Sequence, residues 1–148
     1  MANQVLEFDF SQLELNDTSE CHITFPDGRL CYMPKIDENN NKVDDETKPL
    51  LILLYGSDSK QARTANLARL RKLDKIEKKR HKDSLPSDSE IEARLEINRE
   101  FVAELTCGWK NFKESFTREQ ALDFYKKYPI VYEQVDKHIA DRTNYVKK

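Results

Sequence analysis

Three cysteines and three histidines are the first side chains to test for chemistry, because thiolates and imidazoles are the usual ligands of zinc. Cys21, His22, Cys31 and either Cys107 or His81 would make up a ligand set. Zinc sites, however, announce themselves by close pairs such as Cys-x2-Cys followed by a second pair, and no such pairs occur here. Cys21 and His22 are neighbours, so in an extended chain they point to opposite faces. The expectation is ordinary strand or core thiols in a reducing compartment, with no metal and no other cofactor. A calcium loop fails as well. Asp37, Asn39 and Asn41 occupy the first three ligand places, but Lys42 stands where the loop requires Gly and Lys48 where it requires Glu.

Nucleophilic catalysis has one candidate turn, Gly56-Ser57-Asp58-Ser59, which carries two hydroxyls and a carboxylate. It lacks the Gly-x-Ser-x-Gly form that exposes a strained nucleophile. Capping of a following helix by Ser57 or Asp58 accounts for it without chemistry. His81 falls in a basic run and His138 on a polar helical face, so no set of nucleophile, base and oxyanion donors assembles. The expectation is a protein without turnover. Asn16-Asp17-Thr18 has the form of a glycosylation acceptor, but the opening residues carry no basic region ahead of an apolar stretch and do not read as a signal peptide.

What remains is charge. The 148 residues carry a net charge of −2, with 35% charged and 38% hydrophobic residues, so the core must be thin. The mean hides a partition. Residues 1–59 hold four basic and twelve acidic side chains, residues 60–82 ten basic and two acidic, and residues 83–148 return to −2. Arg69, Arg71, Lys72, Lys75, Lys78, Lys79, Arg80 and Lys82 form the basic run. They would suit phosphates through counterion release, but no aromatic is interleaved for base stacking and no three-helix recognition unit surrounds them. The run reads instead as a helix face that complements an acidic protein surface, in this copy or another. No apolar stretch reaches the length of a membrane span.

The elements that position these residues divide into three parts: a small β region over 1–56, a long basic helix over 57–83 and a helical subdomain over 84–148. The fold class is therefore α+β, a small antiparallel β region followed by the basic helix and three further helices. Leu6, Phe8 and Phe10 alternate with Glu7 and Asp9, the pattern of a strand. Residues 21–25 and 29–33 flank Pro26-Asp27-Gly28, the pattern of a hairpin. Residues 37–49 read as a polar loop, and Leu50 to Tyr55 as the most buried strand. From Ser59 to about Lys82, Ala62, Ala65, Leu67, Leu70, Leu73 and Ile76 make a thin stripe whose spacing of three drifts around a helix, unlike a coiled-coil seam.

A second helix starts near Asp88 and is expected to end on Gly108 as its cap. Trp109 and Phe112 follow in a linker. Thr117-Arg118-Glu119-Gln120 is a capping box, with Phe116 in the staple position. Pro129 opens a last helix carrying Val131 or Tyr132, Val135, Ile139 and Tyr145. Trp109, Phe112, Phe116, Leu122, Tyr125 and Val135 are the expected core of the helical part.

The order of landmarks carries a resemblance. Leu53-Leu54-Tyr55-Gly56-Ser57-Asp58-Ser59 precedes a basic helix. After it come Leu105-Thr106-Cys107-Gly108-Trp109, Phe116-Thr117, Ala121-Leu122, Tyr128-Pro129, Gln134-Val135 and Asp141-Arg142-Thr143-Asn144-Tyr145. This series, over residues 6–146, resembles the tail assembly chaperones of tailed bacteriophages of the siphophage type. The resemblance implies a non-enzymatic protein of the host cytoplasm that keeps the helical tape measure protein soluble, recruits tail tube subunits and leaves before the virion matures. A minor structural protein retained in the virion and a nucleic-acid-binding accessory protein are the alternatives. Aromatics dominate binding hot spots, which makes Phe101, Tyr125, Tyr132 and Tyr145 the candidates for a client groove, beside the residues' ordinary use as core.

Overall fold

The computed structural model describes residues 6–81 and 84–147. The fold is α+β: among the described residues four strands come first, four helices follow, and a fifth strand lies between the second and third helices. Lys82 lies outside the described residues.

The central element is β4 (Leu51–Tyr55), flanked by β1 (Thr18–His22) and β5 (Thr106–Lys110) in a three-stranded antiparallel sheet of order β1-β4-β5. Its apolar run is buried from both flanks, with Ile52 and Leu54 fully enclosed. The helices α2 (Asp88–Leu105), α3 (Arg118–Lys127) and α4 (Pro129–Ala140) cover this sheet and bring Val102, Leu105, Ala121, Tyr125, Val135 and Ile139 into one core with Ile52 and Leu54. Within that core the Tyr125 hydroxyl bonds Thr106 Oγ1 at 2.7 Å, and Thr106 donates onward to the Val102 carbonyl at 2.9 Å. The pair satisfies two buried hydroxyls at once, which the interior requires.

Gly108 does not cap a helix. Thr106 ends α2 by bonding back to Val102, and the chain passes directly into β5, where Gly108 lies opposite Leu53. The β-branched and aromatic residues around it favour the pleated surface, so the expected linker at Trp109 is a strand that the C-terminal part donates to the N-terminal sheet. Leu6, Phe8 and Phe10 do not form a strand either. Asp9 Oδ1 accepts from the Ser11 amide at 3.0 Å and turns the chain into a 3-10 turn over Phe10–Leu13. A local Asx bond competes with extended structure where no sheet edge is within reach.

The Pro26-Asp27-Gly28 turn forms as its residue types require: Gly28 has φ +89°, and the Phe25 amide donates to the Arg29 carbonyl at 2.8 Å. The two arms then part. β1 joins β4, while β2 (Tyr32–Ile36) pairs with β3 (Lys42–Pro49) in a separate two-stranded ribbon. The expected polar loop over 37–49 is thus a turn followed by an eight-residue strand. Asp37 Oδ1 accepts from the Asn39 and Asn41 amides at 2.9 and 2.8 Å. That use of the carboxylate, with Asn40 at φ 62°, explains the Asp-Asn cluster without an ion.

The helix starts hold with one shift. Ser59, not Ser57 or Asp58, caps α1 (Lys60–Lys79) by accepting from the Ala62 amide at 3.1 Å. Thr117 caps α3 through the Gln120 amide at 3.0 Å, but Gln120 does not reciprocate, so only half of the capping box is made. Pro129 opens α4. Tyr145 belongs to a 3-10 turn over Arg142–Tyr145, beyond the end of that helix. Trp109, Phe112, Phe116 and Leu122 are packed against the core but only partly buried, while Tyr125 and Val135 are inside it.

Candidate functional site

α1 is 20 residues long, about 30 Å at the rise of an α-helix. Its principal neighbour is α2, against which it runs as a hairpin. The face that α1 turns to α2 is Ala62, Ala65, Arg69, Leu73, Ile76 and Arg80, spaced by three and four residues; all six are buried or half-buried. The Arg69 guanidinium lies 4.0 Å over the Phe101 ring. Lys72 meets Glu100 at 3.3 Å, and Arg80 reaches Glu77 at 3.1 Å and Glu90 at 3.2 Å. Arg94 of α2 closes the network on Glu77 at 2.9 Å. A cation on an aromatic face contributes about 0.5–2 kcal/mol, and exposed pairs about 0.2–1 kcal/mol each. The hairpin is therefore held by many small terms.

This arrangement divides the basic run. Arg69, Lys72 and Arg80 bind the hairpin together, and Lys78 pairs with Asp74 on its own helix at 2.9 Å. Arg71, Lys75 and Lys79 are exposed and form no ion pair among the described residues. The acidic residues of the N-terminal part form no ion pair with α1 among the described residues. Glu20 pairs with Lys110, Glu14 with Lys147 at 3.2 Å and Asp58 with Arg142 at 2.7 Å. Leu67 and Leu70, expected in the buried stripe, are 56% and 50% exposed, because arginines occupy the seam positions the apolar pattern assigned elsewhere.

Between the first half of α1 and the last half of α2 lies an open groove of about 740 Å³, closed at one end by the start of α3. Tyr55, Ala65, Ala68, Ile97, Phe101 and Leu122 supply its apolar surface. Lys60, Lys72, Glu100, Glu104 and Arg118 surround it, with Arg118 and Glu104 paired at 3.4 Å. Arg69 also lines the groove, and its Nε is buried without a hydrogen-bond partner among the described residues. Two alanines one turn apart, in a concave apolar bed with charged edges, make a surface on which another helix can lie close. Beyond the groove Leu85, Ile91 and Leu95 are also exposed, so the hairpin carries apolar surface toward its tip.

Of the four aromatic candidates, Phe101 lines this groove and Tyr132 is half-buried. Burial and the neighbouring Asp136 push the Tyr132 hydroxyl pKa upward. Tyr125 and Tyr145, at 1% and 2% exposure, fill the core and offer no surface to a partner. Ala65, Ala68 and Ile97 had no place among the candidates. The i, i+3 spacing of Ala65 and Ala68 on a helix otherwise rich in long side chains was the available signal.

The thiols are dispersed. Cys21 and Cys31 are buried and unpaired, and burial pushes the Cys21 thiol up to about 11. His22 turns away from Cys21, its Nε2 2.7 Å from the Cys31 carbonyl oxygen and its ring edge-on to Tyr32. Among the described residues no three His, Cys, Asp or Glu side chains gather to hold a metal ion.

The turn at Gly56 forms a clasp with the C-terminal segment. Asp58 accepts two bonds from Arg142, at 2.7 and 3.1 Å, and the Ser57 amide donates to the Ile139 carbonyl at 3.4 Å. Tyr145 packs over Gly56, and its carbonyl accepts from the Asn16 amide at 2.7 Å. The Gly-Ser-Asp-Ser junction and the closing Asp-Arg-Thr-Asn-Tyr segment are thus one structural unit. No family model matches this chain, and neither a curated protein nor a solved structure does.

Proposed function

We propose that the protein is a non-enzymatic tail assembly chaperone of a tailed bacteriophage, acting in the host cytoplasm. It binds helical stretches of the tape measure protein stoichiometrically and recruits tail tube subunits to them. The observation that carries this reading is the open α1–α2 groove, an apolar bed with charged rims that the fold leaves uncovered. Two further features support it. The two most specific pieces of the landmark series meet in the clasp at Gly56 and Tyr145, as parts of one fold signature would. Among the described residues no helix is long and apolar enough to cross a membrane.

Coexpression tests the reading. A tape measure fragment that aggregates alone is expected to stay soluble with this protein and to copurify at a fixed ratio. Purified particles are expected to lack the protein. Equal solubility of the fragment without it, together with a symmetric copy number in mature particles, would make it a structural component of the virion instead.

A further inference from the structure

The charge partition of the chain corresponds to two surfaces that the fold leaves uncovered. The first is the segment from Leu6 to Glu14. Leu6, Phe8, Phe10 and Leu13 are all at least 60% exposed, and Glu7, Asp9 and Glu14 alternate with them. No lysine or arginine occurs before Arg29. The segment has local order: the Phe8 and Phe10 rings meet edge-on at 5.1 Å, and Asp9 caps the 3-10 turn through one carboxylate oxygen. Its root is held by the Leu15–Val146 bridge, the Asn16 amide on the Tyr145 carbonyl and the Glu14–Lys147 pair. It is an acidic, aromatic knob that stands off the body of its own chain.

The second surface is the outer face of α1. With Ala62, Arg69, Leu73, Ile76 and Arg80 turned to α2, the helical period puts Leu67, Arg71, Lys75 and Lys78 on the opposite side, with Leu70 beside them. Asp74 shares this face but is already paired with Lys78 at 2.9 Å, so the unpaired charge is Arg71 and Lys75 beside two exposed leucines, the complement of exposed phenylalanines among carboxylates. Neither Arg71 nor Lys75 has an ion pair among the described residues.

We propose that two copies of this chain associate by exchanging these surfaces. The 6–14 segment of one copy seats on the outer face of α1 of the other, Phe8 and Phe10 against Leu67 and Leu70, Glu7 and Asp9 against Arg71 and Lys75. The reciprocal contact closes the pair with two-fold symmetry. Within one copy, no hydrogen bond or ion pair of the described residues joins segment 6–13 to α1. The leucines at the N-terminal end of the basic stripe favour an apolar-acidic protein segment over a phosphate backbone. The contact uses none of the groove residues, so it stands or falls separately from client binding.

Sedimentation equilibrium of the full chain at low and high salt tests the exchange. A dimer is expected at low salt, weakened by about tenfold or more when salt rises from roughly 0.05 to 0.5 M, as screening of the charge pairs requires. The double variants Phe8→Ser/Phe10→Ser and Arg71→Glu/Lys75→Glu are each expected to be monomeric with wild-type melting, since all four side chains are exposed. Mixed together, these two variants are expected to regain a weak heterodimer, because one intact segment and one intact α1 face remain. Zero-length carbodiimide coupling between isotopically distinct copies should join Glu7 or Asp9 to Lys75. A monomer at both salts, a dimer indifferent to both variants, no heterodimer on mixing, or couplings confined to one copy would each overturn the proposal.

Discussion

Gly56 offers the sharpest test of the clasp that joins the sheet to the C-terminus. A Cβ at this position would stand 2.9 Å from both Cδ1 and Cε1 of Tyr145 and 3.1 Å from Cγ. Gly56 does not have a positive φ, so an alanine there meets no backbone strain and the whole cost is steric. The ring has little freedom to retreat. It is 2% exposed, its carbonyl accepts from the Asn16 amide, and its hydroxyl lies 3.4 Å from the Leu54 carbonyl. Inserting a methyl group into such a site costs about 1–3 kcal/mol, and at this chain length each kcal/mol lowers Tm by about 2–4 °C. Urea and thermal unfolding followed by circular dichroism should show this loss for Gly56→Ala. In a Tyr145→Leu background, where the ring edge is gone, most of the cost should vanish, and the double-mutant cycle should return a coupling of about 1 kcal/mol or more. A Gly56→Ala protein within about 0.5 kcal/mol of wild type, the range of indifferent surface changes, or a coupling near zero, would show that the ring does not clamp the junction.

Three other outcomes follow from the same geometry. Trp109 is partly buried, stacked on Phe112 at 4.4 Å and donating from Nε1 to the Glu114 carbonyl, so Trp109→Ala should cost less than the ~3–5 kcal/mol of a fully enclosed indole; an unchanged urea midpoint would contradict its packing role. Burial holds the His138 pKa below its ordinary 6.5, with Ser19 Oγ 3.0 Å away. The unfolded state therefore binds the proton more readily, so the histidine's contribution is present above about pH 6.5 and lost as pH falls through its lower folded value; His138→Gln should flatten that part of the stability profile, and an unaltered profile would refute it. Thiol labelling of the native protein near pH 8 should reach half-buried Cys107 first and Cys21 last, because the Cys21 thiol is pushed up to about 11; early modification of Cys21 would show that β1 opens.

The parts of the fold legible in the sequence were those set by local chemistry. Pro26-Asp27-Gly28 made its turn, Thr117 its cap and Pro129 its helix start, because each depends on a few adjacent residues. Leu51–Tyr55 is also legible, because its unbroken apolar run marks a buried strand whatever its partners, but elements with weak apolar signals and distant partners are not. Gly108 looked like a cap, but its place opposite Leu53 depends on a strand more than fifty residues earlier. Val43 gave too little apolar signal to reveal β3, which is held to β2 chiefly by backbone bonds and a turn built on Asp37. The α1 seam was hidden for a related reason: Arg69 and Arg80 occupy buried-face positions, so the apolar stripe pointed to Leu67 and Leu70, which are exposed. The same displacement concealed the groove. Its bed of Ala65 and Ala68 has no strong hydrophobic signature, whereas Tyr125 and Tyr145 look like contact residues and are core.

Calorimetric titration of a helical tape measure fragment into the purified protein tests most directly whether the α1–α2 groove holds a client helix. Saturable binding at a fixed ratio is expected for the wild type. Ala68→Trp, which fills the groove from an exposed position, should raise Kd by about tenfold or more at unchanged Tm, equivalent to at least ~1.4 kcal/mol of lost binding. A fragment that gives no heat and no complex, or one that binds the Ala68→Trp variant as tightly as the wild type, would contradict the account.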